Sequence, residues 1–263
     1  MEYLKYLKIE ECELYFEIEG SGHPLVFIHG GNMDRRMWDE QFFLFSEYFR
    51  VIRYDVRGFG KSTPSREPYS PGEDLYFLLN HLNIPKTHIV GLSLGGTIAI
   101  EFAISHVEMV DKLVLVGSGV GGFQFAEEGI RRQMEIMKVA QKEGAKRAVE
   151  LWLQDPMMVP AMENPHISAK IRQICLENLY AYSPDFAPLK SIKPPAIHRL
   201  KEIQSPTLVI VGERDDPEIL TIADILEREI PEVKKLIIPG AGHIVNMENP
   251  GEFNEIVLDF LRN

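Results

Sequence analysis

Short apolar runs alternate with amphipathic segments along most of this 263-residue chain. Runs such as "PLVFI", "THIV" and "TLVIV" have no polar face, which is typical of strands buried on both sides of a sheet. Segments such as "GEDLYFLLNHLNI" and "GTIAIEFAISH" carry apolar residues at helical spacing. Strands that alternate with helices indicate a parallel sheet with helices on both faces. We therefore predict an α/β fold with a mostly parallel, doubly wound sheet.

Residues 123–200 interrupt this alternation. They show helical stretches such as "EEGIRRQMEIMKVAQKEGAKRAVELWL" and a proline-rich end, but no strand pattern. This predicts a helical lid (cap), called the lid segment below, inserted between two strands of the sheet. The core domain would then comprise residues 1–122 and 201–263. At the beginning of the chain, "LKIEECELYFEIEG" alternates polar and apolar residues, which predicts one or two antiparallel strands.

The stretch "GLSLGG" at residues 91–96 lies where an apolar run becomes a helical pattern. A G-x-S-x-G turn between a strand and a helix holds its serine in a strained conformation, and small neighbours let the two backbones pass closely. Ser93 is therefore a candidate nucleophile. The N–H of Leu94, at the positive end of the helix, is the expected oxyanion donor. The competing interpretation is an ordinary turn in which Ser93 only caps the helix.

A serine nucleophile needs a general base, and the base needs an orienting carboxylate. In this topology the acid and then the histidine follow the serine along the chain. Asp215 follows the run "TLVIV", and His243 lies in the loop "GAGH" after the next run. Asp216 precedes Pro217 and is expected to cap the following helix. The other histidines are expected to be structural or at the surface: His23, His29, His81, His88, His106, His166 and His198.

A second oxyanion donor is expected in the loop after an earlier strand, "FIHGGNMD". We choose the N–H of Gly31, with Asn32 as the alternative, because the glycines let the backbone face the serine. His29 is expected to brace this loop by hydrogen bonding rather than to titrate in catalysis. The predicted site comprises Ser93, Asp215 and His243 as catalytic residues and Gly31 and Leu94 as the oxyanion hole.

Five segments together resemble serine hydrolases of the α/β-hydrolase fold, in the esterase, lactonase and perhydrolase group. They are "HGGNMDRRMWDEQ", "VIRYDVRGFGKS", "HIVGLSLGGTIAIEFA", "LVIVGERDD" and "GAGHIVNMENPGEFNEIVLDFL". The resemblance covers nearly the whole chain except the lid segment. It implies a carboxylic ester hydrolase (EC 3.1 type) that works through an acyl-enzyme. It also implies a structural role for the D-x-R-G-x-G-x-S signature, here Asp55, Arg57, Gly58, Gly60 and Ser62.

Other activities of this fold stay open or become less favoured. Carbon–carbon bond hydrolases of dienone-type diketones keep the same triad, and some relatives are slow-turnover sensors that report a ligand to a partner. Dehalogenases and epoxide hydrolases carry aspartate where this chain has Ser93, so both activities are disfavoured. The "GSGVGG" stretch at 117–122 matches a dinucleotide motif, but no second strand pattern follows it. No metal or organic cofactor is expected.

Composition narrows the expected partners and location. The chain has 39 acidic and 28 basic residues, a net charge of −11, which disfavours nucleic acid. No apolar run reaches the roughly 18 residues of a membrane span, and the first residues do not resemble a signal peptide. We therefore expect a cytoplasmic protein with a small-molecule acyl substrate and no membrane span, and leave a homodimer open.

Cys12 and Cys175 show neither a metal-ligand spacing nor a disulfide framework.

The lid segment is rich in methionine and aromatic residues. Side chains of these types at helical spacing usually pack in a core, but small-molecule pockets are also mostly apolar. We expect two or three of these residues to line the acyl pocket. The candidates are Phe123, Phe125, Trp152, Met157, Met158, Met162 and Tyr180.

Overall fold

One eight-stranded sheet runs through the computed structural model, which describes residues 5–263. Its strands are β1 (Tyr6–Ile9), β2 (Cys12–Glu19), β3 (Pro24–Ile28), β4 (Arg50–Tyr54), β5 (Thr87–Leu92), β6 (Val110–Val116), β7 (Thr207–Gly212) and β8 (Val233–Ile238). Their order across the sheet is β1-β2-β4-β3-β5-β6-β7-β8. The β1–β2 and β2–β4 pairs are antiparallel, and all the others are parallel. The predicted mostly parallel sheet is confirmed.

Helices cover both faces of this sheet. They are α1 (Asp39–Phe45), α2 (Pro71–His81), α3 (Leu94–Ser105), α4 (Glu127–Glu143), α5 (Ala145–Trp152), α6 (Val159–Glu163), α7 (Ser168–Glu177), α8 (Pro217–Glu229), α9 (Val245–Glu248) and α10 (Pro250–Arg262). Helix α2 begins as its sequence indicates, because the Ser70 side chain accepts from the Glu73 N–H and Pro71 occupies the first helical position.

The alternation of side chains along β3 shows how two cores form. Leu25 and Phe27 point to one face of the sheet, and Val26 and Ile28 point to the other. The first face packs on α1 and α10, and the second packs on α2, α3 and α8. All four side chains are fully buried, which explains why the run has no polar face.

The chain between β6 and β7 is helical where the sequence pattern predicts it. Residues 117–206, all of them described, contain α4 to α7 and no strand of the sheet. The insertion of helices between two strands is therefore observed. The domain boundaries at 122 and 201, and the action of this segment as a lid, remain predictions, and residues 1–4 of the predicted core domain lie outside the described residues.

The remaining expectations about the chain concern membranes and thiols. Within residues 5–263, no helix combines the length and the apolar character needed to cross a bilayer. Cys175 is fully buried on α7, and Cys12 begins β2, where its thiol donates to the Pro64 carbonyl at 3.4 Å. Both thiols are free.

Candidate active site

Ser93 lies in the sharp turn between β5 and α3. Its backbone has φ +54° and ψ −113°, a left-handed conformation that is strained for a residue with a side chain. A Cβ on Gly91 would lie 2.3 Å from the Gly95 carbonyl oxygen, and one on Gly95 would lie 2.2 Å from the Ile28 oxygen. Only glycine fits at these two places, so the turn can be this tight and can hold the serine at the sheet edge.

His243 and Asp215 are brought together by the loops after β8 and β7. The Nδ1 atom of His243 lies 3.0 Å from each carboxylate oxygen of Asp215, and both side chains are buried. The two loops are also joined by their backbones, because the Arg214 N–H donates to the Ala241 carbonyl at 2.8 Å. The carboxylate thus faces one nitrogen of the ring, and the other nitrogen is free to serve as a base.

The charge state of His243 depends on this carboxylate. Burial of the ring would lower its pKa, but the Asp215 carboxylate raises it, and Glu248 and Asp216 add smaller contributions in the same direction. The result is a pKa above the ordinary value of 6.5. A proton on Nδ1, facing Asp215, leaves Nε2 as the acceptor in the neutral ring.

Glu248 holds the loop that carries His243, a role that the sequence analysis missed. Its two carboxylate oxygens accept from the N–H groups of Gly242 (2.7 Å) and Ile244 (2.8 Å), the residues on either side of the histidine. Burial raises the pKa of Glu248, although these two hydrogen bonds oppose the shift. Glu248 lies five residues after the histidine, at the end of α9.

Gly117 is a second residue whose contribution the sequence analysis missed. It follows β6 with φ +48°, and a Cβ there would lie 3.1 Å from His243 Nδ1 and 3.2 Å from Asp215 Oδ2. Any side chain would crowd the contact between histidine and aspartate and would also strain the backbone. The first glycine of "GSGVGG" therefore leaves room for the Asp215–His243 pair.

Asp216 has a different set of partners from its neighbour Asp215. Its Oδ1 accepts from the Glu218 N–H at 2.9 Å, so it caps α8, and the predicted capping is confirmed. Its Oδ2 accepts from Arg132 of α4 at 2.9 Å. Arg132 also donates to Asp155 at 3.2 Å, so one guanidinium joins the lid segment to the start of α8.

The loop after β3 passes beside the serine. A Cβ on Gly30 would lie 3.5 Å from the Cβ of Ser93. Gly31 and Asn32 follow it and line the same cavity as the serine. Leu94 is the first residue of α3, and the first N–H groups of a helix have no partner within the helix. The N–H groups chosen for an oxyanion hole therefore belong to residues around one cavity, and Asn32 stays an alternative to Gly31.

His29 braces this loop from inside the protein. Its Nε2 accepts from the Val56 N–H at 2.9 Å, and its Nδ1 contacts the Gly30 carbonyl at 2.8 Å. The ring is fully buried, and burial lowers its pKa, so the neutral form is favoured. The bracing role expected for His29 is confirmed.

The D-x-R-G signature forms a buried polar network next to the site. Asp55 accepts from the Arg35 N–H at 2.9 Å and from the Arg35 guanidinium at 2.8 Å. Arg57 makes a two-pronged contact with Asp74, at 2.7 and 2.6 Å, and Ser62 donates to the Asp55 carbonyl at 2.6 Å. These groups satisfy one another rather than face the cavity, which agrees with the structural role that the resemblance implies.

Ser93 and His243 line one small cavity, called the inner cavity here, of about 130 Å³. Its lining residues are Gly30, Gly31, Asn32, Met33, Met37, Leu92, Ser93, Leu94, Trp152, Met157, Met158, His243 and Ile244. Among the hydrogen bonds of residues 5–263, none joins Ser93 to His243; catalytic hydrogen bonds are often long until substrate binds. Three of the seven candidate lid residues, Trp152, Met157 and Met158, reach the cavity.

A larger space of about 420 Å³, called the outer chamber, adjoins the inner cavity. Trp152 and Met157 line both, so they stand at the boundary. The other residues that line the outer chamber are Phe125, Gly129, Ile130, Arg132, Gln133, Met134, Asp155, Asp216, Glu218 and Ile219. Its one basic lining residue, Arg132, already contacts two carboxylates. The chamber is therefore mostly apolar, and its only basic lining residue among the described residues is already paired.

A mostly parallel sheet with a strained serine after β5, and a buried aspartate–histidine pair after β7 and β8, is the arrangement of an α/β hydrolase. The alpha/beta hydrolase family matches residues 25–256 of the chain. The chain belongs to this family and is a hydrolase.

Relatives of known activity fall into more than one group. The 2-hydroxy-6-oxononadienedioate/2-hydroxy-6-oxononatrienedioate hydrolase of Cupriavidus pinatubonensis is 31% identical over 285 residues, covering 98% of this chain and 95% of that protein. The enol-lactonase of Burkholderia xenovorans LB400 superposes with a TM-score of 0.83 at 25% identity, covering 98% and 100%. A thermophilic esterase from Thermogutta terrifontis gives a TM-score of 0.79 at 29% identity, covering 95% and 93%.

Proposed function

We propose that this hydrolase cleaves neutral carboxylic esters or lactones through an acyl-enzyme. Ser93 attacks the carbonyl carbon, and Nε2 of His243 takes the serine proton and later gives it to the leaving alcohol. Asp215 orients the ring and stabilises the imidazolium. The N–H groups of Gly31 and Leu94 bind the oxyanion, and such a donor contributes about 3–4 kcal/mol in other hydrolases. A water molecule activated by His243 then releases the acid.

The observation that carries this proposal is the Asp215–His243 pair in one cavity with a serine held in a strained turn. The pair supplies a base whose second nitrogen faces away from the carboxylate. The strained turn exposes the serine beside the first N–H groups of α3. Nucleophile, base and oxyanion donors are the three parts that acyl transfer requires.

The lining of the two spaces supports a neutral substrate. No lysine or arginine lines the inner cavity, within the part of the chain that the structure describes. In the outer chamber, Arg132 is paired with Asp155 and Asp216. A buried carboxylate needs a cationic or multiple hydrogen-bond partner, so a dianionic substrate would be poorly accommodated. This weighs against the dioate substrate named for the Cupriavidus relative.

Carbon–carbon bond hydrolysis is the second candidate, because relatives named as hydrolases of 2-hydroxy-6-oxo-dienoate compounds align over nearly the whole chain. Those substrates are dienone-type diketones, and their hydrolysis uses the same kind of triad.

A substrate panel separates the candidates. We expect turnover of p-nitrophenyl acetate and butyrate and of simple lactones, with kcat/KM at least roughly 100-fold above that for a dienone-type dioate; the reverse order would favour carbon–carbon hydrolysis. Tight binding of an ester with almost no turnover would favour the sensor interpretation.

The boundary between the two spaces predicts which substitutions alter substrate choice. The inner cavity alone is smaller than the roughly 300 Å³ typical of small-molecule sites, so longer acyl chains must pass Trp152 and Met157. In Trp152→Ala and Met157→Ala, kcat/KM for p-nitrophenyl octanoate relative to acetate should change by about 10-fold or more, while acetate turnover stays within a few-fold. The exposed Phe43 of α1 provides a control, because Phe43→Ala should change neither value. Loss of acetate turnover in a folded Trp152→Ala variant would mean that the chemistry itself depends on the lid segment.

A further inference from the structure

Three potential metal ligands meet at the amino-terminal ends of central strands, on the side of the sheet opposite the strand ends that carry the candidate active site. His23 precedes β3, His88 is the second residue of β5, and Asp111 is the second residue of β6. These strands are parallel neighbours, so their amino-terminal ends lie side by side. One potential ligand atom from each of the three residues lies within 4.8 Å of the other two.

The local backbone turns these side chains toward one another. The pairing of β5 with β6 shifts register at His88, because Thr87 opposes Val110 whereas Ile89 opposes Leu113. Strand β6 therefore has one extra residue at this point, and such a bulge re-aims the side chains beside it. Asp111 is one of the two residues at the irregularity.

The His88 ring is a second, independent feature of this cluster. His88 is 7% exposed, and its buried Nδ1 has no hydrogen-bond partner among the described residues. Its ring lies 4.3 Å from the ring of His23, measured between centroids. A buried and unpaired imidazole nitrogen is a good ligand for a transition metal.

We propose that His23, His88 and Asp111 form a zinc-binding site that fastens the amino-terminal ends of three central strands. Two imidazoles and one carboxylate suit Zn²⁺, with water as a fourth ligand. His23 Nε2 and Asp111 Oδ2 are 2.7 Å apart, and tetrahedral ligands at zinc distances lie roughly 3.3–3.5 Å apart. His23 and Asp111 must therefore move apart by less than about 1 Å, and the three ligand atoms, which all lie within 4.8 Å of one another, must reach this spacing.

Two lysines near the cluster affect the proposed site differently. The Lys86 ammonium lies 2.6 Å from Asp111 Oδ1, so it shares the carboxylate with the metal and should weaken binding. The Lys112 ammonium donates instead to the carbonyls of Phe260 and Leu261 at the end of α10. Asp111 keeps its other oxygen, Oδ2, for the cation.

The test is zinc binding by the whole protein after treatment with a chelator. Calorimetric titration with zinc chloride at pH 7 should give one site per chain. At about 100 times the Kd, zinc should raise the melting temperature by roughly 5 °C. His23→Gln and Asp111→Asn should each lower the affinity by at least about 10-fold, and Lys86→Gln should raise it. His198→Gln, at an exposed histidine elsewhere, serves as the matched control and should bind like the parent.

Several results would overturn the proposal. An unchanged melting temperature in the presence of zinc would overturn it. Equal zinc affinity in the parent, His23→Gln and Asp111→Asn would also overturn it. Weaker or unchanged binding in Lys86→Gln would contradict the role of Asp111 as a ligand. A single zinc site that is lost in His243→Gln but persists in Asp111→Asn would also exclude the proposed site. The test uses the metal alone, so its outcome is independent of the proposed ester hydrolysis.

Discussion

Ser93→Ala is expected to lower kcat for p-nitrophenyl acetate by on the order of 10⁶-fold, to near the background rate. The hydroxyl is the proposed nucleophile, and no other hydroxyl of the described chain lines the inner cavity. Alanine keeps the Cβ, so the strained φ of +54° and the turn around it should persist. The melting temperature should therefore change little. Steady-state kinetics and thermal unfolding of the same preparation check both expectations.

A fluorophosphonate probe followed by peptide mass spectrometry locates the nucleophile directly. The adduct should lie on Ser93 in the parent and should be absent from Ser93→Ala. Ser105→Ala is a matched control, because Ser105 is exposed at the opposite end of the same helix and should leave labelling and turnover unchanged. An adduct on any other residue of the folded parent would exclude the proposed mechanism.

Asp215→Asn is expected to lower turnover by about 10⁴-fold, with little loss of stability. Asparagine has the shape of aspartate but can donate to His243 Nδ1, which favours the ring tautomer that lacks a free Nε2 lone pair. Without the carboxylate, the pKa of His243 should also fall. In the parent, kcat/KM should decline as the pH drops through a midpoint above 6.5, because the protonated ring cannot act as a base. In the residual activity of Asp215→Asn this midpoint should move to lower pH.

Asp216→Asn is the neighbouring control and should stay within a few-fold of the parent. Asparagine caps a helix about as well as aspartate, so the contact with the Glu218 N–H should survive. The variant does lose the negative charge that pairs with Arg132. Because the Arg132 side chain is partly exposed to solvent, the effect of this loss on stability should be small. Equal and severe losses in both variants, or a severe loss in Asp216→Asn alone, would mean that the roles of the two aspartates are assigned wrongly.

The sheet and the positions of the candidate triad were accessible from the sequence for one physical reason. Strands buried on both faces appear as uninterrupted apolar runs, and loops at the carboxyl ends of parallel strands meet at one edge. Ser93 and Asp215 each follow such a run, and His243 follows the edge strand β8, so the order of the three residues along the chain already limits how they can meet. The capping by Asp216 was accessible too, since a cap and its proline are adjacent in sequence.

Supporting contacts between distant segments were not accessible in this way. Gly117 matters because its missing side chain leaves space for Asp215 and His243, which follow it by about a hundred residues or more. Glu248 acts on backbone N–H groups, which every residue carries and which therefore leave no pattern. The cluster of His23 with His88 depends on strand register and on a bulge, and the apolar pattern specifies neither.

The division between inner cavity and outer chamber also bears on how this enzyme could change over evolutionary time. The reactive groups of the inner cavity lie after strand ends and in glycine-containing turns that the whole sheet holds in place. Much of the outer chamber is formed by exposed or half-buried side chains of one surface helix, among them Ile130 and Met134. Mutations there alter no buried contact of the sheet. New substrates can therefore be explored at these positions while the reactive groups keep their geometry.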